Sequence, residues 1–422
     1  MDQPSSTTAR IAVASFIGTA IEFYDFYIYG LAVAMVIGPV FFPEASPDAQ
    51  KLNAFLTFGL AFLARPIGSF VFGHYGDRIG RKATLVASLL VMGFSTVLIG
   101  FLPGYEVAGW AAPFLLCLLR FGQGVGLGGE WAGAALLAVE YAPQGERGRF
   151  GMFPQLGPSV GFLCAVGGFL MLSEWLDDAQ FRSWGWRIPF IASMTLVLIG
   201  LYVRLKLAET PVFARVAPAP TVLPFAEVVR RHWGSVLLGA LSLVVCYAIF
   251  YVATVFSLSY GVGKLGIPRQ EFLVMLSIAI LFMALATPLA AIAADRHGRR
   301  RVLFAACFLA LLSGFLFGPA MESRSPLVIT AFLSLELFIM GAAYAPMGAF
   351  LPELFPTRVR YTGAGVAYNL GGILGGSLAP FFSQKLALAG GLSWVGGYIS
   401  AAALVSLSAV LLMRETRGES LD

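Results

Sequence analysis

The chain is poor in charge. Of its 422 residues only 12% are Asp, Glu, Lys or Arg, against 58% apolar, a balance that excludes an ordinary soluble domain. Histidine is nearly absent, with His74, His232 and His297 as the three. Cysteine is almost as scarce: Cys117, Cys164, Cys246 and Cys307 stand in apolar stretches without CxxC spacing or a nearby His, and read as buried free thiols. No GxxxxGK[ST] occurs, which leaves a nucleotide-driven pump without support, and no metal cluster or nucleophile–base pair suggests an enzyme. We expect a non-enzymatic protein without metal or cofactor.

What is abundant is apolar sequence in long runs. A bilayer core takes roughly 20 apolar residues per helix. Charged or Pro/Gly-rich breaks divide the chain into such spans near 11–40, 52–75, 83–103, 109–139, 149–173, 183–207, 234–261, 271–294, 301–321, 326–351, 360–388 and 391–413. An all-α integral membrane protein of twelve transmembrane helices follows. The first span is too long, and too polar at its centre, for a signal peptide and is expected to be retained.

The net charge of +5 invites a nucleic-acid partner, but the placement of the cations decides against it. Lys and Arg crowd into the two ends of the chain and alternate connections, at 74–83, 140–149, 203–232, 295–301 and 352–361. The opposite connections hold only Lys51, Arg182, Arg187, Lys264, Arg269, Arg324 and Lys385. By the positive-inside rule the richer side, with both termini, is expected to be cytoplasmic.

The chain also repeats itself. GDRIGRKATL at 76–85 returns as ADRHGRRRVL at 294–303, VEYAPQGER at 139–147 as PELFPTR at 352–358, and LAETP at 207–211 as RETRG at 414–418. Three ordered matches at an offset of roughly 210 residues predict two pseudo-symmetric six-helix halves, 1–207 and 234–422. A basic linker, 208–233, joins them and carries the amphipathic stretch FAEVVRRHW.

GDRIGRKATL and ADRHGRRRVL resemble the loops between helices 2 and 3 and helices 8 and 9 of major facilitator superfamily transporters. IEFYDFYIYG, RFGQGVGLGGEWAGAALLAVEYAP at 120–143, SWGWRIPF at 183–190 and LPELFPTRVRYTGAGVAYNLGGILGG at 351–376 are similar to the metabolite:proton symporter family within it. The resemblance covers essentially the whole chain. It implies the major facilitator fold, a monomer in the bacterial inner membrane, and solute–proton cotransport. Relatives in that family carry dicarboxylates and tricarboxylates, shikimate, or proline and betaine, so the solute stays open.

The chemistry is expected where charge lies deep in the bilayer. Within GTAIEFYDFYIYG at 18–30, Glu22 and Asp25 are three apart, hence on one helical face, roughly 20 Å from Arg10 by helical rise. Intramembrane acids are costly and are usually retained for function. Arg65 and Arg120 are the counter-charges, Gln123 follows Arg120 by one turn, and Glu130 lies further along the same helix. Glu336 is the deep acid of the second half. All three histidines fall in connections, so proton coupling is assigned to Asp25, Glu22, Glu130 and Glu336. Substrate binding is assigned to Arg120 as carboxylate anchor with Gln123, to Arg65, and to the polar aromatics Tyr24, Tyr27, Tyr29, Tyr247, Tyr251 and Tyr368 with Asn369. The phenylalanines of the same stripe, Phe23 and Phe26, read as lipid-facing packing.

At the helix ends, Asp77, Arg81, Glu140, Arg147 and Glu209, with Asp295, Arg299, Glu353, Arg358 and Glu415, form opposite-sign sets able to latch the halves together. Gly124-x-Gly126-x-x-Gly129 matches a dinucleotide fingerprint in letters only; without a preceding strand it reads as close helix packing, as do Gly371/Gly375 and Gly372/Gly376. The expected activity is therefore secondary symport of a small organic acid with a proton. A zwitterion carrier of betaine or amino-acid type is the alternative. A non-transporting solute receptor would need a signalling domain, for which the eight residues after Arg414 leave no room.

Overall fold

The computed structural model describes residues 4–79, 81–140, 142–143, 145–206 and 224–418; the side chains of 4–11, 73–79, 81–82, Leu137, Arg204, Lys206 and Pro224 are outside that description. Among the described residues there is no strand. Eleven helices among the described residues are long and apolar enough to cross a membrane. They are α1 (Ala12–Phe41), α2 (Pro47–Phe72), α3 (Ala83–Phe101), α4 (Ala111–Glu140), α5 (Arg147–Trp175), α6 (Gly185–Val203), α7 (Trp233–Gly263), α8 (Arg269–His297), α9 (Arg299–Glu322), α10 (Pro326–Glu353) and, last in the chain, α12 (Leu392–Leu412). Between these last two lies α11, built from Arg360–Gly372, a π-helical turn Ile373–Ser377 and Ala379–Gly390.

The twelve spans agree with the apolar runs of the sequence to within a few residues, because bilayer thickness fixes helix length. The halves also share their irregularities. α1 and α7 each contain a π-helical turn, Val33–Ile37 and Val252–Phe256, and α4 and α10 are each broken, at Gly128–Gly129 and at Ala345–Pro346. Such interruptions free backbone groups and are stable in a membrane only where protein packs around them.

α1–α6 and α7–α12 form the two bundles, which meet along two main seams, α5 with α8 and α2 with α11. Within the expected linker, residues 208–223 lie outside the described residues, and Pro224–Arg231 form a short helix. Its Phe225 meets Phe70 of the first half edge-to-face at 5.9 Å, while Glu227 pairs with Arg358 of the second. Val228, on the inner face, is fully buried.

Candidate functional site

α1 and α2 bring a cation and an aromatic stripe to the middle of the molecule. Arg65, halfway along α2, has only 1% of its surface exposed. Its guanidinium lies 4.6 Å from the ring centroid of Phe26 and 4.4 Å from that of Phe62. Among the described residues it makes no hydrogen bond or ion pair, and its Nε and one Nη are sealed from solvent. Tyr251 of α7 stands 5.5 Å from Phe62, and Tyr247 stacks one turn earlier, 6.3 Å from Tyr251. Gly372 and Gly376 of α11 lie against Phe62 and these two tyrosines, where a side chain would crowd the rings. The result is an aromatic box shared by both halves around one unpartnered guanidinium.

The stripe Phe23–Tyr27 corrects an expectation. Phe23 and Phe26 do not face lipid; they are 3% and 0% exposed, and Phe26 lies beneath Arg65. α1 is central to the protein, so no face of this stretch reaches the bilayer, a fact that its apolar composition alone could not reveal.

Arg120 has a different setting. It donates to Gln123 Oε1 within its own helix and to Phe58 O at 3.2 Å, and its guanidinium covers Tyr29 at 3.7 Å. Gln123 in turn donates to the Asp25 carbonyl and to Thr96 Oγ1, both at 2.9 Å. The Tyr29 hydroxyl pairs with Thr57 at 2.5 Å, and Tyr24 donates to Pro189 O at 3.2 Å. Arg120, Gln123, Tyr29 and Tyr24 thus bind α1, α2, α3, α4 and α6 to one another inside the first half. Arg120 and Arg65 reach the same ring: Arg120 is 5.3 Å from the Phe26 centroid.

Asp25 has no exposed surface, and neither carboxylate oxygen has a hydrogen-bond partner among the described residues. Ser193 of α6 stands beside it, but donates to Phe190 O at 2.8 Å. Glu22 is buried on the same helix, and Glu130 accepts from Ser88 at 2.7 Å at the first turn after the α4 break. Glu336 lies in the second bundle, fully buried; Ser313 stands beside it but donates to Ala310 O at 3.1 Å, and neither Glu336 oxygen has a hydrogen-bond partner among the described residues. Among the described residues Arg65, Asp25 and Glu336 therefore have no charge partner, whereas Arg120 and Glu130 are hydrogen-bonded. An ionised carboxylate or guanidinium held dry without a partner is expensive, which singles out Arg65, Asp25 and Glu336 as groups poised for another partner.

Around the box, Tyr368 and Tyr344 share a hydrogen bond at 2.9 Å, and Trp131 of α4 stacks on Tyr368 at 3.9 Å. Trp131 Nε1 donates to Gln155, which donates to Tyr344 O, so three residues that sequence reasoning missed tie the halves. A lone amide in the apolar run of α5 was the signal. Tyr27 stacks on Phe250 of the other half at 4.9 Å, and Asn369 donates to Ser69 at 2.6 Å and to Gly128 O at 3.1 Å.

Both ends of the seam are shut. On the face carrying the termini, Arg299 bonds Asp295 at 2.5 Å and Glu353 at 3.4 Å, and Arg147 reaches Glu353 at 3.8 Å from the first half. Glu415 accepts the N–H groups of Arg299 and Arg300 at 2.9 and 3.0 Å. Arg358 pairs instead with the linker helix. Glu140 ends α4 on this face. Asp77 and Arg81 lie on described helix backbone, but their side chains, and Glu209 altogether, are outside the described residues. On the opposite face Lys264 meets Asp48 at 3.2 Å and Arg269 meets Asp178 at 2.8 Å, pairs between halves that the sequence did not announce.

The Gly124, Gly126 and Gly129 triplet packs helices: Gly124 abuts the Ala61 backbone of α2, Gly126 abuts Met92 of α3, and Gly129 abuts Phe72.

Comparison with known proteins agrees with this architecture. The family described as "Sugar (and other) transporter" matches residues 11–217, and "Major Facilitator Superfamily" matches 262–421. The inner membrane metabolite transport protein YhjE of Escherichia coli K12 is 50% identical over 425 residues, spanning 99% of this chain and 97% of the relative. The shikimate transporter of the same organism is 39% identical, covering 98% and 96%. Its proline/betaine transporter is 31% identical, covering 98% and 84%. The fold matches the partially occluded, inward-open xylose transporter XylE of E. coli with a TM-score of 0.76 at 19% identity, covering 99% and 100% of the two chains. The chain belongs to the major facilitator superfamily of membrane transporters.

Proposed function

We propose that the protein is a proton-coupled symporter of a small organic acid in the bacterial inner membrane, with both termini cytoplasmic. The observation that carries this reading is Arg65, a buried guanidinium without hydrogen bond or ion pair among the described residues, set in a box that both halves line. A solute carboxylate would satisfy its fork, while Tyr247, whose hydroxyl is likewise buried and unpartnered, and Tyr251 offer donors and apolar ring faces. Asp25 is the proton site. Neither of its buried carboxylate oxygens has a hydrogen-bond partner among the described residues, and Gln123 links its backbone to Arg120 and hence to the ring shared with Arg65. Names of relatives such as the shikimate transporter support an acid, and the printed proline/betaine carriers are the zwitterion alternative.

Alternating access then consists of opening one closed end at a time around the loaded box. The charge cluster at the termini and the ion pairs opposite it are the two gates. A thermal-shift screen of purified protein against carboxylic acids, betaines and amino acids tests the substrate class. Stabilisation by an acid, lost in Arg65→Ala, is the expected result. Stabilisation by an acid that Arg65→Ala fully retains would contradict it, and a response to betaines alone would move the protein to the zwitterion class.

A further inference from the structure

The α8–α9 connection and the segment after α12 border an open cavity of about 670 Å3, lined by His297, Arg300, Arg301 and Arg417 with Phe304 and Leu411 as an apolar wall. The acid in it, Glu415, is already engaged by the backbone N–H groups of Arg299 and Arg300. Arg300 donates to Val410 O at 2.9 Å and to Leu411 O, so it is held at the end of α12. Among the described residues the side chains of Arg301 and Arg417 make no hydrogen bond or ion pair, and both are exposed. Three guanidinium groups thus converge where the one carboxylate is spent on backbone.

The apolar wall places the cavity relative to the bilayer. Phe304 is 41%, Leu411 50% and neighbouring Leu412 76% exposed, and on spanning helices such side chains face acyl chains. A space basic within and apolar at its rim, at the ends of α9 and α12, sits at headgroup depth. We propose that it binds the phosphate of an anionic phospholipid from the leaflet on the terminal face. Free phosphate would offer the same oxygens but nothing for Phe304 and Leu411 to cover. The site adjoins the closed gate, because Glu415 caps α9 and Arg299, the first residue of that helix, holds Asp295 and Glu353.

The test uses the full chain in detergent, titrated with phosphatidylglycerol, phosphatidylcholine or inorganic phosphate, read by thermal shift and by native mass spectrometry of retained lipid. Phosphatidylglycerol should raise Tm and remain bound, and phosphatidylcholine and inorganic phosphate should not. The exposed-site double variant Arg301→Gln with Arg417→Gln should lose most of that Tm gain and of the retained lipid. An equal gain in wild type and double variant would overturn the site, an equal gain from phosphatidylcholine would overturn the requirement for an anion, and an equal gain from inorganic phosphate would overturn the lipid as its source.

Discussion

The carboxylate of Asp295, at the end of α8, closes over the first turn of α5 in the other half: Oδ1 accepts the Gly148 N–H at 2.9 Å and Oδ2 the Arg149 N–H at 2.8 Å. An acid at a helix N-terminus satisfies orphan donors and complements the helix dipole, a contact worth about 1 kcal/mol. It links the halves only while the terminal face is closed. Asp295→Ala should therefore open that face. In a background without the four cysteines, Ala132→Cys, which lies at the α4–α11 seam beside Gly365, should become more reactive towards a membrane-impermeant thiol reagent. Unchanged reactivity would reduce Asp295 to a local cap.

The opposite gate should depend on Arg269 more than on its acid. Arg269 is mostly buried, covers Phe181 at 3.9 Å and donates to Ser173 at 3.0 Å, whereas its partner Asp178 is 76% exposed and solvent-screened. Asp178→Ala is expected to cost at most about 0.5 kcal/mol of closed-state preference, and Arg269→Ala about 1–2 kcal/mol. Distance distributions between spin labels across this end check the order of the two effects.

The two arginines should separate in experiment. Arg65→Ala removes a cation that holds no hydrogen bond among the described residues, so the solute response should disappear while apparent stability in the absence of solute is kept or rises. Arg120→Ala removes bonds to Gln123 and the Phe58 carbonyl, and should destabilise the first half by about 3 kcal/mol, lowering Tm with or without solute. Thermal unfolding of both variants with and without the screened solute distinguishes these outcomes.

The number and approximate length of the spans were legible because a bilayer core sets a minimum apolar length for each helix, and the repeat was legible because short charged stretches recur at 76–85 and 294–303 and at 139–147 and 352–358. The partners of the deep charges were not. Arg120 and Asp25 suggested a charge pair, yet Gln123 stands between them and binds the Asp25 backbone. Whether Phe26 faced lipid or Arg65 depended on the placement of α1 between both halves, which helical periodicity alone leaves open. The pairing of Arg269 with Asp178 joins opposite bundles and had no local signature. α11 is not among the eleven candidate spans, although the breaks in the sequence delimit it at 360–388.

Close packing of α2, α3 and α4 predicts a strict size limit. A side chain on Gly124 would strike the Ala61 carbonyl, and one on Gly128 the Arg65 carbonyl, backbone atoms that cannot rotate away. Gly124→Val should force the helices apart and lower stability by about 2–3 kcal/mol, with reduced yield of folded protein by size-exclusion chromatography. Gly168→Ala, where open space surrounds the glycine, should be tolerated in the same assay.

The proposed proton coupling through Asp25 is tested most directly in proteoliposomes with the solute found by screening. Wild type should accumulate labelled solute under an inward proton gradient and also exchange labelled for unlabelled solute without one. Asp25→Asn, neutral at every pH, mimics the protonated carrier; it should keep exchange and lose gradient-driven accumulation. Linkage requires the converse in wild type, where bound solute favours proton uptake. Accumulation that survives at the wild-type level in Asp25→Asn would contradict the account.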